Sequence, residues 1–170
     1  MADRYQLAAG EYYLLNRVLD SNGRRLYATH GGDGSNVTVT PYTGAANQKW
    51  VVENYQYDAA RATTLQRIKP ADNQRLEAGL GPAVNIRPTG NYVYGITHDG
   101  SGWTYVQAWD LNASGLFADR FLTTTSIRDG DKSISWSIQI AAADSQVVPL
   151  AEAIGEKQRW VIYKVGTDLP

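Results

Sequence analysis

The sequence predicts an all-β fold made of three four-strand units around one core, and three observations predict it. First, Asn47-Gln48-Lys49-Trp50-Val51-Val52 returns near the C-terminus as Lys157-Gln158-Arg159-Trp160-Val161-Ile162. Gln, any residue, Trp and a β-branched pair thus open a repeated strand. Second, sixteen Gly, eleven Tyr and five Trp stand against two Phe and one Met. Tyr and Trp are strand formers with a polar handle, and Gly supplies turns. Third, short β-rich runs alternate with turn clusters along the whole chain, the mark of a barrel or sandwich. A threefold repeat needs a third copy of the signature, because a fixed period of roughly 20–50 residues defines a repeat architecture. Asn91-Tyr92-Val93-Tyr94-Gly95-Ile96 supplies it, with Tyr92 in the Gln place and Tyr94 in the Trp place. Tyr94 follows Trp50 by 44 residues and precedes Trp160 by 66, so the third unit is expected to carry an insertion. Three such units sharing a core make a β-trefoil: six strands close a barrel and six form hairpins that cap one end. Closure removes the sheet edges that otherwise aggregate.

The elements follow in order. Glu11–Val18 is rich in β-forming residues, and Asp20-Ser21-Asn22-Gly23 is a turn, since Asn-Gly readily supplies positive φ. Arg25–Thr29 is a second short strand, His30–Asn36 a Gly-rich loop, and Val37–Pro41 alternates cleanly before the Trp50 strand. The second unit reads as strands at Thr63–Ile68, Arg75–Ala78, Val84–Arg87 and Asn91–Thr97. The third opens at Trp103–Gln107, carries the extra piece over Trp109–Thr125, and continues with Ser133–Gln139, Gln146–Leu150 and the Trp160 strand. The expected repeats are about 8–56, 57–100 and 101–166 of a single domain. No segment carries a capped helical period; Val148–Ile154 is the one weak candidate. Trp50 and Trp160 are expected in the core, where aromatics dominate buried area. Tyr12 and Tyr13 point to opposite faces of one strand, so one of them is expected there too.

Composition excludes several functions. Sixteen basic against seventeen acidic residues, with no basic run, gives no concentrated positive field for a nucleic acid. There is no Cys, hence no disulfide and no thiolate metal site; this fits a cytoplasmic protein. Met1-Ala2-Asp3-Arg4-Tyr5 lacks the regions of a signal peptide, which leads to the same expectation. No apolar run approaches the roughly 18 residues of a membrane span. Enzyme chemistry is not expected. The two His residues, His30 and His98, each sit in a Gly-rich loop, and no Gly-x-Ser-x-Gly elbow appears. Asp129-Gly130-Asp131 reads as a turn, because it lacks the spaced ligands of a calcium loop. Neither a metal nor a cofactor is expected.

The residues also resemble a family. Leu7–Leu19, Val37–Pro41 with the Trp50 strand, Pro88–Tyr94, Ser133–Ser137 and Arg159–Val165 are similar to segments of the mushroom β-trefoil lectins of the ricin-B-like superfamily. Within it the likeness runs toward the inky-cap lectins that bind the fucosylated chitobiose core of N-glycans. It covers nearly the whole chain except about 20 residues after Gln107. The resemblance implies a sugar site on the second unit: Asn91, Tyr92, Val93 and Tyr94, with Tyr55 or Tyr57 beside them. It also marks three departures. Tyr94 stands where the family has Trp, Ala78 near a place that holds an aromatic, and Arg87 where an apolar residue is expected. The first two remove stacking surface; Arg87 favours an acidic or differently decorated glycan.

Sugar recognition needs an aromatic face for the C–H side of a pyranose and fixed polar groups for its hydroxyls, a combination usual in ligand pockets. Asn91, Tyr92 and Tyr94 supply both. Each hydrogen bond nets about 0.5–1.5 kcal/mol, so a weak site strengthened by multivalency is expected. The expected partners are N-glycan cores or other GlcNAc- and fucose-bearing oligosaccharides. No nucleic acid and no membrane insertion are expected, and a homodimer is compatible with the chain. The role implied by the resemblance is fungal defence. The competing reading is a β-trefoil protease inhibitor acting through the His30–Asn36 loop or loops bearing Arg24 or Arg128.

Overall fold

A computed structural model of the chain describes residues 8–31, 37–58, 63–80, 93–97, 104–108, 119–129, 132–151 and 155–169. They form twelve strands: β1 Gly10–Asn16, β2 Leu26–Thr29, β3 Thr38–Thr40, β4 Trp50–Asp58, β5 Thr63–Pro70, β6 Leu76–Leu80, β7 Val93–Thr97, β8 Thr104–Ala108, β9 Asp119–Asp129, β10 Lys132–Ile138, β11 Ser145–Ala151 and β12 Trp160–Lys164.

The pairing pattern closes a ring. β1 pairs with β4, β4 with β5, β5 with β8, β8 with β9, β9 with β12, and β12 with β1, all antiparallel. The other six strands form the hairpins β2–β3, β6–β7 and β10–β11. A six-strand barrel with three hairpins is the β-trefoil, and every barrel strand thereby finds two partners instead of leaving an edge open.

This pairing corrects one assignment. Val93–Thr97 is not the middle copy of the Trp strand: it pairs with Leu76–Leu80 in a hairpin, the place that β3 holds in the first unit. The barrel place of the Trp50 and Trp160 strands is held by β8, which begins directly after Trp103. Trp103 lies 53 residues after Trp50 and 57 before Trp160, a far more even spacing than Tyr94 gives. Of the expected insertion, Asp119 onward is the barrel strand β9; residues 109–118, between β8 and β9, lie outside the described residues. The weak helical candidate begins in strand: Val148 to Ala151 belong to β11. The expected strand Val84–Arg87 lies outside the described residues.

Two short 3-10 turns, Ala46–Gln48 and Glu156–Gln158, lead into β4 and β12 and explain the Gln-x-Trp signature. Gln48 is fully buried. Its amide Nε2 donates to Thr40 Oγ1 (2.8 Å) and to the Pro41 carbonyl (2.9 Å). Its Oε1 accepts from the Thr43 backbone N–H (2.8 Å). One side chain therefore ties the end of β3 to the turn before β4, where the backbone groups have no ladder partner. Trp50 follows with its ring in the core and its Nε1 donating to the Ala28 carbonyl at 2.9 Å. Trp160 repeats this with Trp136, at 3.0 Å.

The core gathers Leu14, Leu26, Val39, Trp50, Trp136 and Trp160 from the first and third units, with Ile68 and Ala78 from the second. β1 buries both faces. Tyr12 and Leu14 face the core, while Tyr13 and Leu15 join Tyr27 in a second cluster on the other side, covered by Val161, Tyr163 and Val165. Alternation along the strand divides them this way. His30 lies in the expected loop directly after β2 and is buried there. Its backbone N–H donates to the Asn47 carbonyl (2.8 Å), and its ring meets the Trp50 indole edge-on at 6.3 Å.

Candidate functional site

The residues that the family resemblance implies fall into two groups. Asn91, Tyr92 and Arg87 lie outside the described residues. Val93 and Tyr94 open β7, paired with Leu80 and Gly79 of β6. Ala78, one step along that ladder, pairs with Gly95, and its side chain is buried in the core. Tyr57 pairs with Thr64 on β5. Tyr55 sits at an irregularity: Asn54 pairs with Gln66 and Gln56 with Leu65, so Tyr55 is the extra residue of a β-bulge. Bulges bend a strand and re-aim the side chains around them, and they cluster near binding sites. Tyr57 stands near the Thr63 end of β5, whereas β6 departs from its Pro70 end.

A second feature escaped the sequence reading. A groove of about 520 Å³ opens between the turn after β1 and the segment after β3, lined by Leu19, Gly23, Arg24, Arg25, Tyr27, Pro41 and Tyr42. Tyr42 is half exposed (51 %), and Leu19 is exposed beside it. Tyr42 packs against Tyr27 (5.3 Å between ring centroids) and Tyr13 (5.9 Å). Burial, and then the neighbouring Tyr42 hydroxyl, push the Tyr13 phenol up to about 12. Burial raises the Tyr27 phenol as well.

The turn that builds the other wall is held by Asp20. Its Oδ1 accepts from the backbone N–H of Asn22 (2.9 Å) and of Arg24 (2.8 Å), and its Oδ2 accepts from Arg24 Nε (2.8 Å). These bonds, the Arg24 backbone N–H first among them, hold the Asp20 carboxyl below the usual carboxylate range. Gly23 takes the positive φ (+74°) that the turn requires. Arg25 Nη1 reaches the Arg17 carbonyl at 3.4 Å. The only sequence signal for this groove was the Asn-Gly turn itself; the facing wall comes from another segment.

The arrangement also bears on the inhibitor reading. Arg24 Nε is held by Asp20 in a tight turn, and Arg128 belongs to β9 beside Ser133 rather than to a loop. Residues 32–36 of the remaining candidate loop lie outside the described residues. Among the described residues no group of His, Asp and Glu is placed to hold a metal ion, and no helix is long and apolar enough to cross a membrane.

Comparison with known proteins gives the class. A family profile described as CCL2 lectin-like matches residues 10–113, the stretch that runs from β1 past β8. The chain belongs to the CCL2 lectin-like family and is a carbohydrate-binding lectin; family and fold point to binding rather than catalysis. No curated protein matches the sequence. Among solved structures, a mosquitocidal holotoxin is similar over 94 % of this chain (18 % identity, TM-score 0.69), and the chain spans only 18 % of that toxin's length. The Rhizoctonia solani agglutinin is similar over 94 % of this chain and 98 % of its own (16 % identity, TM-score 0.65). The Macrolepiota procera ricin B-like lectin, solved with lactose, covers 94 % and 99 % (15 % identity, TM-score 0.60). At these identities the likeness is one of fold.

Proposed function

We propose that this lectin recognises glycans bearing GlcNAc and fucose, the fucosylated chitobiose core of N-glycans foremost, through Asn91, Tyr92, Val93 and Tyr94 together with Tyr55, Tyr57 and Arg87. The observation that carries the reading is the family match over residues 10–113, which contains all seven positions. Two features support it. β7 is a hairpin strand, outside the barrel ring, and Tyr55 stands at a bulge, where a strand turns side chains out of register. Tyr in place of Trp at position 94 offers a smaller stacking face and keeps a hydroxyl for hydrogen bonding, which suits a weak site used multivalently. A cytoplasmic store released when the tissue is eaten, acting on glycans of the consumer, is the defence role that follows from this specificity.

A glycan array with the purified chain tests the specificity. Binding to fucosylated chitobiose and loss of that binding in Tyr92→Ala, with an unchanged melting temperature, is the expected result. Silence on every GlcNAc-, fucose- or galactose-bearing glycan at high protein concentration overturns it.

A further inference from the structure

We infer that the groove of the first unit is a second saccharide site, built for a sugar that carries a carboxylate or sulfate group. The inference rests on the lectin reading but not on the Asn91–Tyr94 strip. The volume of about 520 Å³ falls within the roughly 300–1,000 Å³ usual for ligand clefts. Its walls have the two halves that an acidic sugar needs. Tyr42 and Leu19 present exposed apolar surface to the C–H face of a pyranose. Arg24 and Arg25 line the same groove, and guanidinium pairs with carboxylate or sulfate oxygens in charge-assisted bonds. Asp20 offsets one of these charges, and the pair retains one excess positive charge beside the tyrosines.

The groove is also held in shape before any ligand arrives. Tyr42 is fixed by two neighbouring rings. Arg24 is fixed by Asp20, and Asp20 by two backbone N–H groups. Side chains that are already ordered cost little entropy on binding. Arg24 keeps its half-exposed position (52 %) even while its Nε is engaged, since a guanidinium has five N–H donors. An exposed tyrosine locked against two others beside a pinned arginine is not required by the barrel, whose core lies on the opposite face of β1 and β2.

The test uses the intact chain with three ligand sets: neutral fucosylated chitobiose, oligosaccharides ending in glucuronic or sialic acid, and sulfated GlcNAc oligosaccharides. Calorimetric titration of Tyr42→Ala, Arg25→Gln and Tyr92→Ala, each checked by thermal melting, separates the two sites. We expect binding to a carboxylated or sulfated set that falls about tenfold in Arg25→Gln, the size of one charge-assisted contact, and about as much in Tyr42→Ala, which removes the stacking face. Neutral binding stays constant in those variants and is lost in Tyr92→Ala. Either acidic set alone supports the inference and identifies the anion. If Tyr42→Ala melts early, Arg25→Gln carries the test. Neutral glycans binding while both acidic sets are silent overturns the second site and leaves the lectin specificity standing. Acidic binding that survives in Tyr42→Ala and Arg25→Gln but is lost in Tyr92→Ala overturns it too, and assigns the anion to the Asn91–Tyr94 strip. No binding to any set overturns both readings.

Discussion

Trp160 donates its indole N–H to the backbone carbonyl of Trp136 at 3.0 Å, and the two rings meet edge-on at 6.3 Å. The partner carbonyl belongs to β10, as the Ala28 carbonyl that Trp50 uses belongs to β2, the matching strand of the first unit. The signature Trp is thus a clamp between barrel and hairpin as well as core volume. Trp160→Phe keeps most of the apolar area but leaves the Trp136 carbonyl buried without its donor. We expect a loss of about 1–3 kcal/mol in chemical denaturation. Trp160→Ala should cost about 3–5 kcal/mol, because a cavity is added. Equal stability of the Phe variant and the parent would remove the clamp.

Gln48 carries the other half of the signature. Gln48→Ala removes the side-chain partner of the Thr43 backbone N–H and the Pro41 carbonyl at a part-buried corner and empties a buried site. A loss of roughly 1–3 kcal/mol is expected, because water reaches the exposed Thr43 and takes up part of the lost bonding. Hydrogen exchange should show the Thr43 amide losing protection before the barrel amides do. Uniform protection would mean that the corner holds without this side chain.

The tyrosine cluster sets an alkaline limit. The Tyr13 phenol is raised from 10.0 to about 12, so the folded state holds this proton more tightly than the unfolded chain does. The corresponding stability is complete below pH 10 and is lost as pH rises toward about 12. Ultraviolet titration should show a late phenolate phase that disappears in Tyr13→Phe. If that variant keeps the late phase, Tyr13 does not produce it.

His30 sets the acid side. Burial lowers its imidazole below the ordinary value, and the Asp72 carboxylate at 3.9 Å only partly counters this. The unfolded chain therefore takes up the proton first. Stability is full above the ordinary imidazole range and falls as pH drops through the lowered one. His30→Gln should flatten that slope in acid denaturation. An unchanged slope would assign it to the carboxylates.

How much of this was legible depended on whether a residue's work is local. The shortest Gln48 bonds reach Thr40, Pro41 and Thr43, within eight residues, and only a 3.3 Å bond to Thr29 Oγ1 reaches further, so a short motif carries the corner. The outer copies of the signature were plain for that reason. The middle copy was not: two places before Trp103 the chain has Ser101, not Gln, and Tyr92 and Tyr94 imitate the missing spacing. Alternation could not settle it, because hairpin strand β7 and barrel strand β8 are both five-residue runs of β-formers. The loop at His30 was legible from the glycines that follow it, but its burial was not, because Trp50, which it meets, stands twenty residues on. The groove at Tyr42 was invisible because its walls meet only after β2 and β3 have folded back on each other. The strip at Asn91–Tyr94 was legible through kinship, not through any pattern in the residues.

The pairing of β1 with β12 has a further consequence. Tyr12 lies beside Lys164 and Leu14 beside Ile162, so the barrel is sealed by residues from opposite ends of the described chain. A nascent polypeptide still lacking β12 has β1 unpaired on that side, however well its first unit has formed. Assembly of the ring must then await synthesis of β12, and the long loop drawn shut at that moment makes the final step slow relative to the hairpins.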